Sequence, residues 1–210
     1  MIELAIVSAG LRDPSSTRLL ADRINAAVRA ELSGADVPVT STVIELRSLG
    51  RPTVDALLTG VASHDLQAAF DTLAGADGLI AVTPAFNASF SGLFKLFFDV
   101  LPPETLADMP VLIAATGGTE RHSLVLEHAL RPMFSYLHAI VSPTGVYAAT
   151  NEFGVGTDSD VLSGRIRKAA ADFSRLLQSC GPRERRDLFA DDLTTMERLL
   201  GTSGPDAAGR

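Results

Sequence analysis

Three short stretches of this 210-residue chain combine groups that hold an anion with groups that admit a flat ring. The first reads Ser8-Ala9-Gly10-Leu11-Arg12-Asp13-Pro14-Ser15-Ser16-Thr17. The hydroxyls of Ser8, Ser15, Ser16 and Thr17, with the free N–H groups of a helix start, suit a phosphate monoester. The plainer use is an N-cap by Ser15 or Ser16. The second reads Thr83-Pro84-Ala85-Phe86-Asn87-Ala88-Ser89. Its proline, aromatic ring and asparagine make a rigid shelf with exposed amides. The third reads Thr116-Gly117-Gly118-Thr119-Glu120-Arg121-His122-Ser123. Paired glycines let a backbone approach a flat ligand, or simply make a turn.

Something must bring the three together. Five apolar, β-rich runs punctuate the chain at residues 3–7, 42–46, 78–83, 111–115 and 140–147. Helical patterns of period 3.6 lie between most of them, as in Leu20, Ile24, Val28 and Leu32, or Leu66, Ala69, Phe70 and Leu73. A further pattern over 124–137 places His122, His128 and His138 on one expected helix. Strands alternating with helices mean βαβ units and a parallel sheet. The expected architecture is α/β, a doubly wound three-layer sandwich around a five-stranded parallel sheet, for which the order 2-1-3-4-5 is taken. In such a sheet ligands bind beyond the carboxyl ends of the strands, where the order reverses. Each of the three loops follows a strand, and all three converge there. A hydroxyl-rich phosphate pocket beside two loops that edge a flat ring describes an FMN site.

Other chemistries lack their residues. There is no GxGxxG, no GK[ST] and no GxSxG. Offsets of six and ten between the histidines do not put ligands on one helix face, so no metal site is expected. Cys180 and Arg186 have the C-x5-R spacing of cysteine-dependent phosphatases. The cysteine ends a helix, however, where the dipole disfavours a thiolate. Cys180 is also the only cysteine, which excludes an internal disulfide. A net charge of −7 argues against a nucleic-acid partner. No apolar run approaches the roughly 18 residues of a membrane helix. Glu3 stands where a signal peptide would be basic, and a cytoplasmic location is expected.

Residues 83–95, Thr-Pro-Ala-Phe-Asn-Ala-Ser-Phe-Ser-Gly-Leu-Phe-Lys, resemble the T-P-x-Y-N-x-S-x-x-G-x-L-K motif of the flavodoxin-like NAD(P)H-dependent FMN reductases. Asp99 falls at the following acidic position. Phe86 replaces the usual tyrosine, and Phe94 the leucine before the lysine. Residues 8–17 resemble that family's phosphate loop, with Ser-Ala-Gly in place of its Gly-Ser start. Thr116 to Ser123, with Leu130-Arg131-Pro132, resembles its flavin-edge segment. The resemblance covers residues 1–177 and is nearest to actinobacterial reductases that supply flavin to luciferase-like monooxygenases.

The resemblance implies a flavodoxin-like three-layer sandwich of order 2-1-3-4-5 and reduction of FMN by NADPH or NADH, with the flavin carrying the chemistry and no catalytic protein side chain. It implies that Ser8, Ser15, Ser16 and Thr17 hold the phosphate. Pro84, Ala85, Phe86 and Asn87 would line the ring, and Thr116, Gly117, Gly118 and His122 its pyrimidine edge. Arg121 is a further expected contact to the nicotinamide dinucleotide. The rival readings are a flavin-containing quinone or azo reductase and a flavodoxin-type electron carrier. A flavin-dependent monooxygenase is the expected partner.

Residues 1–180 are expected to form the reductase domain and 181–210 a tail. In that tail Leu188, Phe189, Leu193, Met196, Leu199 and Leu200 would form a helix, with disorder over residues 202–210. Residues 49–65, with Gly50 and Pro52, read as a loop with a partial helix. The segment 90–101 reads as a helix apolar nearly all round, with Lys95 and Asp99 as an i,i+4 pair. Phe90, Leu93, Phe94, Leu96, Phe97, Phe98, Val100 and Leu101 need cover, which suggests a homodimer or homotetramer. The alternative is that 49–65 or 188–200 folds over that helix within one chain.

Overall fold

The computed structural model describes residues 1–154 and 157–183. Its first strand, β1 (Ile2–Ser8), alternates: Leu4 and Ile6 enter one apolar layer, Ala5 and Val7 the opposite one. The strand β3 (Gly78–Phe86) repeats this, with Ile80 and Val82 against Leu79 and Ala81. So does β5 (Pro110–Gly117), with Leu112 and Ala114 against Val111, Ile113 and Ala115. Strands that present apolar side chains to both sides are buried on both faces, and these three form the centre of the sheet. One face is covered by α1 (Ser16–Gly34) and α6 (Thr157–Cys180). The other is covered by α2 (Leu46–Thr59), α3 (His64–Ala74), α4 (Gly92–Asp99) and α5 (Arg131–Tyr136).

The edge strand β2 (Val39–Glu45) pairs with β1 in parallel over its whole length, from Ile2 opposite Val39 to Ser8 opposite Glu45. The order is β2-β1-β3-β5-β6, which is the expected 2-1-3-4-5 arrangement. Among the described residues the sheet counts seven strands rather than five, for two reasons. The expected strand 140–147 is divided into β6 (Ile140–Val141) and β7 (Val146–Ala149), both parallel to β5. Pro143 lies in the gap and has no N–H for the ladder. The Arg131 guanidinium takes over there, donating to the carbonyls of Ser142 at 3.0 Å and Pro143 at 3.2 Å. The second reason is β4 (Ser89–Phe90), which turns back on the end of β3 as a short antiparallel hairpin.

Three expectations are corrected. The segment 49–65 is not chiefly a loop: α2 occupies most of it. Leu46, Leu49, Thr53 and Ala56 form a buried stripe at helical spacing, and burial outweighs the local cost of Gly50 and Pro52. The single helix over 124–137 is broken. A 3₁₀ turn (Glu120–His122), a π turn (Leu126–Leu130) and α5 replace it, with Pro132 at the start of α5. His122, His128 and His138 therefore share no helix, and His138 instead faces Glu104 at 3.5 Å.

The third concerns α4. Its N-cap Ser91 accepts from Phe94 N at 3.2 Å. Phe94 and Phe97 are 0% exposed and Phe98 4%. They meet Phe70 of α3 and Phe134 of α5 at ring-centroid distances of 5.1 to 6.2 Å. Gly50 of α2 lies against Leu93. The cover comes from the same chain, so Phe94 is not an outward position and the argument for an oligomer through this helix loses its premise. Lys95 and Asp99 do form their ion pair. The expected tail helix of 188–200 and the disordered end lie outside the described residues.

Candidate functional site

The phosphate loop leaves β1 at Ser8 and enters α1 at Ser15. Ser15 is the N-cap, and its Oγ accepts from Arg18 N at 3.2 Å. The loop folds back so tightly that a Cβ on Gly10 would stand 1.9 Å from Ser15 Oγ. Only glycine allows that approach. Thr17 is 3% exposed, and its hydroxyl lies 2.9 Å from that of Thr116. This contact ties the start of α1 to the end of β5, across 99 residues of chain.

The second loop is the β3–β4 hairpin. Ala85 faces Phe90 and Phe86 faces Ser89, with Asn87 (φ 48°) and Ala88 (φ 66°) at the turn. Two successive positive φ angles are the requirement of a two-residue type I′ turn, whose twist matches the strands it joins. Asn87 accepts this region readily, whereas Ala88 does so at a cost of about 1 kcal/mol. Thr83, fully buried, fixes the base: its Oγ1 accepts from Ser91 N at 3.1 Å and donates to Pro84 O at 3.1 Å. The hairpin holds Phe86 outward, 45% exposed, as an open aromatic surface.

The third loop is set by a residue distant in sequence. Tyr147 of β7 donates its phenol to Thr119 O at 2.7 Å. Its ring occupies the space a side chain at Gly117 would need, since a Cβ there would lie 2.1 Å from Tyr147 Oη. Thr150 Oγ1 donates to Gly117 O at 3.3 Å. Burial holds the Tyr147 phenol above its ordinary pKa, with the Glu152 carboxylate adding to the effect.

The three loops enclose a cleft of about 620 Å³ at the carboxyl ends of β1, β3 and β5. That is within the usual range for a small-molecule site. The structure brings together Ser15, Ser16, Thr17, Pro84, Ala85, Phe86, Thr116, Gly117 and Gly118 on its walls. It leaves three expected residues off them. Ser8 is 2% exposed beneath the phosphate loop and lines a neighbouring pocket. Asn87 serves the hairpin turn. His122, like Arg121, is exposed on the 3₁₀ turn beyond the glycines.

Sequence reasoning passed over Leu11, Arg12, Pro14 and Thr150, which also line the cleft. Arg12 had a readable signal, a cation among the hydroxyls of a phosphate loop. Thr150 had none until the second half of the split strand was placed beside β5.

These walls fit FMN. One end offers hydroxyls and helix-start amides, groups that hold a phosphate monoester. The other offers the flat surfaces of Pro84, Ala85 and Phe86 facing a strip of side-chain-free backbone at Gly117 and Gly118. Residues 2–154 match the profile of the NADPH-dependent FMN reductases. The chain belongs to that family. An FMN reductase (NADPH) of Pseudomonas aeruginosa is 43% identical over 169 residues, 80% of this chain and 88% of that one. The NADH-dependent FMN reductase SfnF of Pseudomonas fluorescens is 41% identical over 170 residues, with 80% and 88% covered. The crystal structure of an oxidoreductase from Corynebacterium diphtheriae superposes with a TM-score of 0.82 at 45% identity. It covers 85% of this chain and 98% of its own. Family membership and superposition agree with the flavodoxin-like order of the sheet.

Among the described residues no helix is long and apolar enough to cross a membrane. Cys180 is exposed at the end of α6, followed by Gly181 in the left-handed region (φ 69°), far in sequence from all three loops.

Proposed function

We propose that this chain reduces FMN with NADPH or NADH in the cytoplasm, within a domain spanning residues 1–180. The observation that carries the reading is the convergence of phosphate-holding and ring-edging loops on one cleft. Bound there, FMN supplies the ring that accepts the electron pair of the nicotinamide. Ser15, Ser16 and Thr17 hold the phosphate and so fix the depth of the ring. Pro84, Ala85 and Phe86 support it from the hairpin. Thr116, Gly117 and Gly118 meet its polar edge with backbone groups. The outer rim, open at Phe86 and Gly118, leaves room for a second flat molecule. Among the described residues no side chain of the cleft is placed to act as an acid, base or nucleophile, so binding and orientation are the contribution of these walls.

We also propose that the reduced flavin passes to a flavin-dependent monooxygenase and that the chain self-associates. The support for self-association is a row on the outer side of α2 and just beyond it: Val54, Leu57, Leu58 and Val61, of which Leu58 is 78% exposed. The test of function is oxidation of NADPH and NADH by the pure protein with and without added FMN, FAD and a quinone. Oxidation that requires added FMN supports the reading. Flavin binding without nucleotide oxidation replaces it with an electron carrier, and turnover only with the quinone replaces it with a quinone reductase.

A further inference from the structure

A second, smaller pocket of about 210 Å³ lies across the phosphate loop from the flavin cleft. Arg12 and Ser15 line both. Its other charged groups are Asp13, Arg18, Glu45 and Arg47. Arg18 is committed: its Nε donates to Asp22 Oδ1 at 2.9 Å and its Nη1 to Glu45. Glu45 is thereby neutralised. Among the described residues Arg12 and Arg47 have no hydrogen-bond or ion-pair partner and are exposed. Two free guanidiniums therefore face one unpaired carboxylate, Asp13. The helix α2 starts at this wall, and its N-cap Glu45 makes no side-chain cap bond. The positive end of that helix adds to the charge of Arg47.

The arrangement suits a dianionic phosphate monoester, which two guanidiniums can neutralise. Its place relative to the cleft identifies the source. The cleft uses the ends of β1, β3 and β5, and the pocket those of β1 and β2. From β5 to β2 is three strand spacings, about 14 Å. A dinucleotide whose nicotinamide lies over the shelf at β3 and β5, and whose pyrophosphate crosses the phosphate loop, delivers its adenosine ribose to Arg47. We infer that Arg47, together with Arg12, binds the 2′-phosphate of NADPH and makes this chain prefer NADPH to NADH. The inference rests on the flavin-reductase reading. It adds a choice that relatives named for either nucleotide leave open. The other source of a phosphate here is the second phosphate of FAD, a monoanionic diester that calls for one guanidinium rather than two.

The experiment has a binding arm and a turnover arm. In the first, FMN-saturated protein is titrated calorimetrically with adenosine 2′,5′-bisphosphate and with 5′-AMP. The wild type should bind the bisphosphate about tenfold more tightly, the worth of one charge-assisted contact. Arg47→Ala should erase the difference and Arg47→Lys keep part of it. In the second, the ratio of kcat/KM for NADPH to that for NADH should fall about tenfold in Arg47→Ala. Equal affinity of the wild type for the two adenosine phosphates, or a ratio unchanged by Arg47→Ala, overturns the inference. So does a loss of FAD affinity alone, which assigns the pocket to FAD. Failure of both nucleotides to reduce FMN overturns the reductase reading instead, while the titration still decides whether the 2′-phosphate site exists.

Discussion

The contact between Tyr147 and Gly117 makes the third loop testable as a mechanical unit. Gly117→Ala adds a Cβ 2.1 Å from Tyr147 Oη and 3.1 Å from Cζ. The nearest other atom, Ala85 Cβ, is 3.6 Å away and is no obstacle. Tyr147 is 7% exposed and bonded to Thr119 O, so its ring cannot step aside without losing that bond. Overpacking of this kind costs about 1–3 kcal/mol. Tyr147→Phe removes one hydrogen bond worth about 1 kcal/mol, and Thr119 is exposed enough for water to replace it. If the two effects were independent, the double variant would lose about 2–4 kcal/mol. With the phenol oxygen gone, the closest approach relaxes to the 3.1 Å contact, and the double variant should lose only about 1–2 kcal/mol. Urea unfolding measures the stabilities. Quenching of flavin fluorescence, undisturbed by tryptophan in a chain that has none, measures FMN affinity. Gly117→Ala should weaken FMN, and Tyr147→Phe added to it should restore part of the loss. Strictly additive losses in both measurements would refute the steric argument.

Three further outcomes follow from the same geometry. Replacing Ser15, Ser16 and Thr17 together by Ala should weaken FMN by a few kcal/mol, at about 1 kcal/mol per polar contact, and riboflavin much less; equal losses for both would move the phosphate elsewhere. Tyr147 holds its proton more tightly folded than unfolded, so its contribution to stability is complete below pH 10 and is lost as pH rises beyond it. The difference between wild-type and Tyr147→Phe absorbance titrations should accordingly place this phenolate above pH 10, and its appearance below that value would contradict the burial. Leu58→Glu should dissociate any oligomer without unfolding the chain, whereas Phe94→Glu should unfold it by burying a charge among Phe90, Phe98 and Phe134; sedimentation and circular dichroism separate the two, and a folded Phe94→Glu monomer would mean that α4 is an outer surface after all.

The sequence and the structure agree where a signal is local, and part where it is not. Continuous apolar runs reveal strands buried on both faces, and the hydroxyls before α1 reveal its start. That the sheet is parallel follows from the alternation of strands and helices, and its order from the family the motifs resemble. The split of the last strand does not, because Pro143 only weakens a ladder, and whether the strand resumes depends on what satisfies its carbonyls. Here that is Arg131, eleven residues earlier. Likewise Gly50 and Pro52 suggest a loop, and only the face offered by α4 makes a helix of 46–59 worthwhile. The apolar circumference of α4 was legible, but not that α2, α3 and Phe134 would cover it.

The cleft shows the same division. Each loop announces the kind of group it presents, since hydroxyls, a proline–aromatic pair and a diglycine have few physical uses in a row after a strand. None announces what holds it in place. The phosphate loop is secured to β5 through Thr17 and Thr116, the hairpin to the start of α4 through Thr83 and Ser91, and the diglycine to β7 through Tyr147. All three restraints come from residues at the margins of the expected motifs or outside them. The positions of Ser8, Asn87 and His122 follow from this. Each has a side chain of the right type within the right loop. Burial under the loop, service at the turn and exposure beyond the glycines keep the three off the cleft walls. Composition of a loop therefore indicates the ligand class, and the restraints on its ends decide which of its side chains meet the ligand.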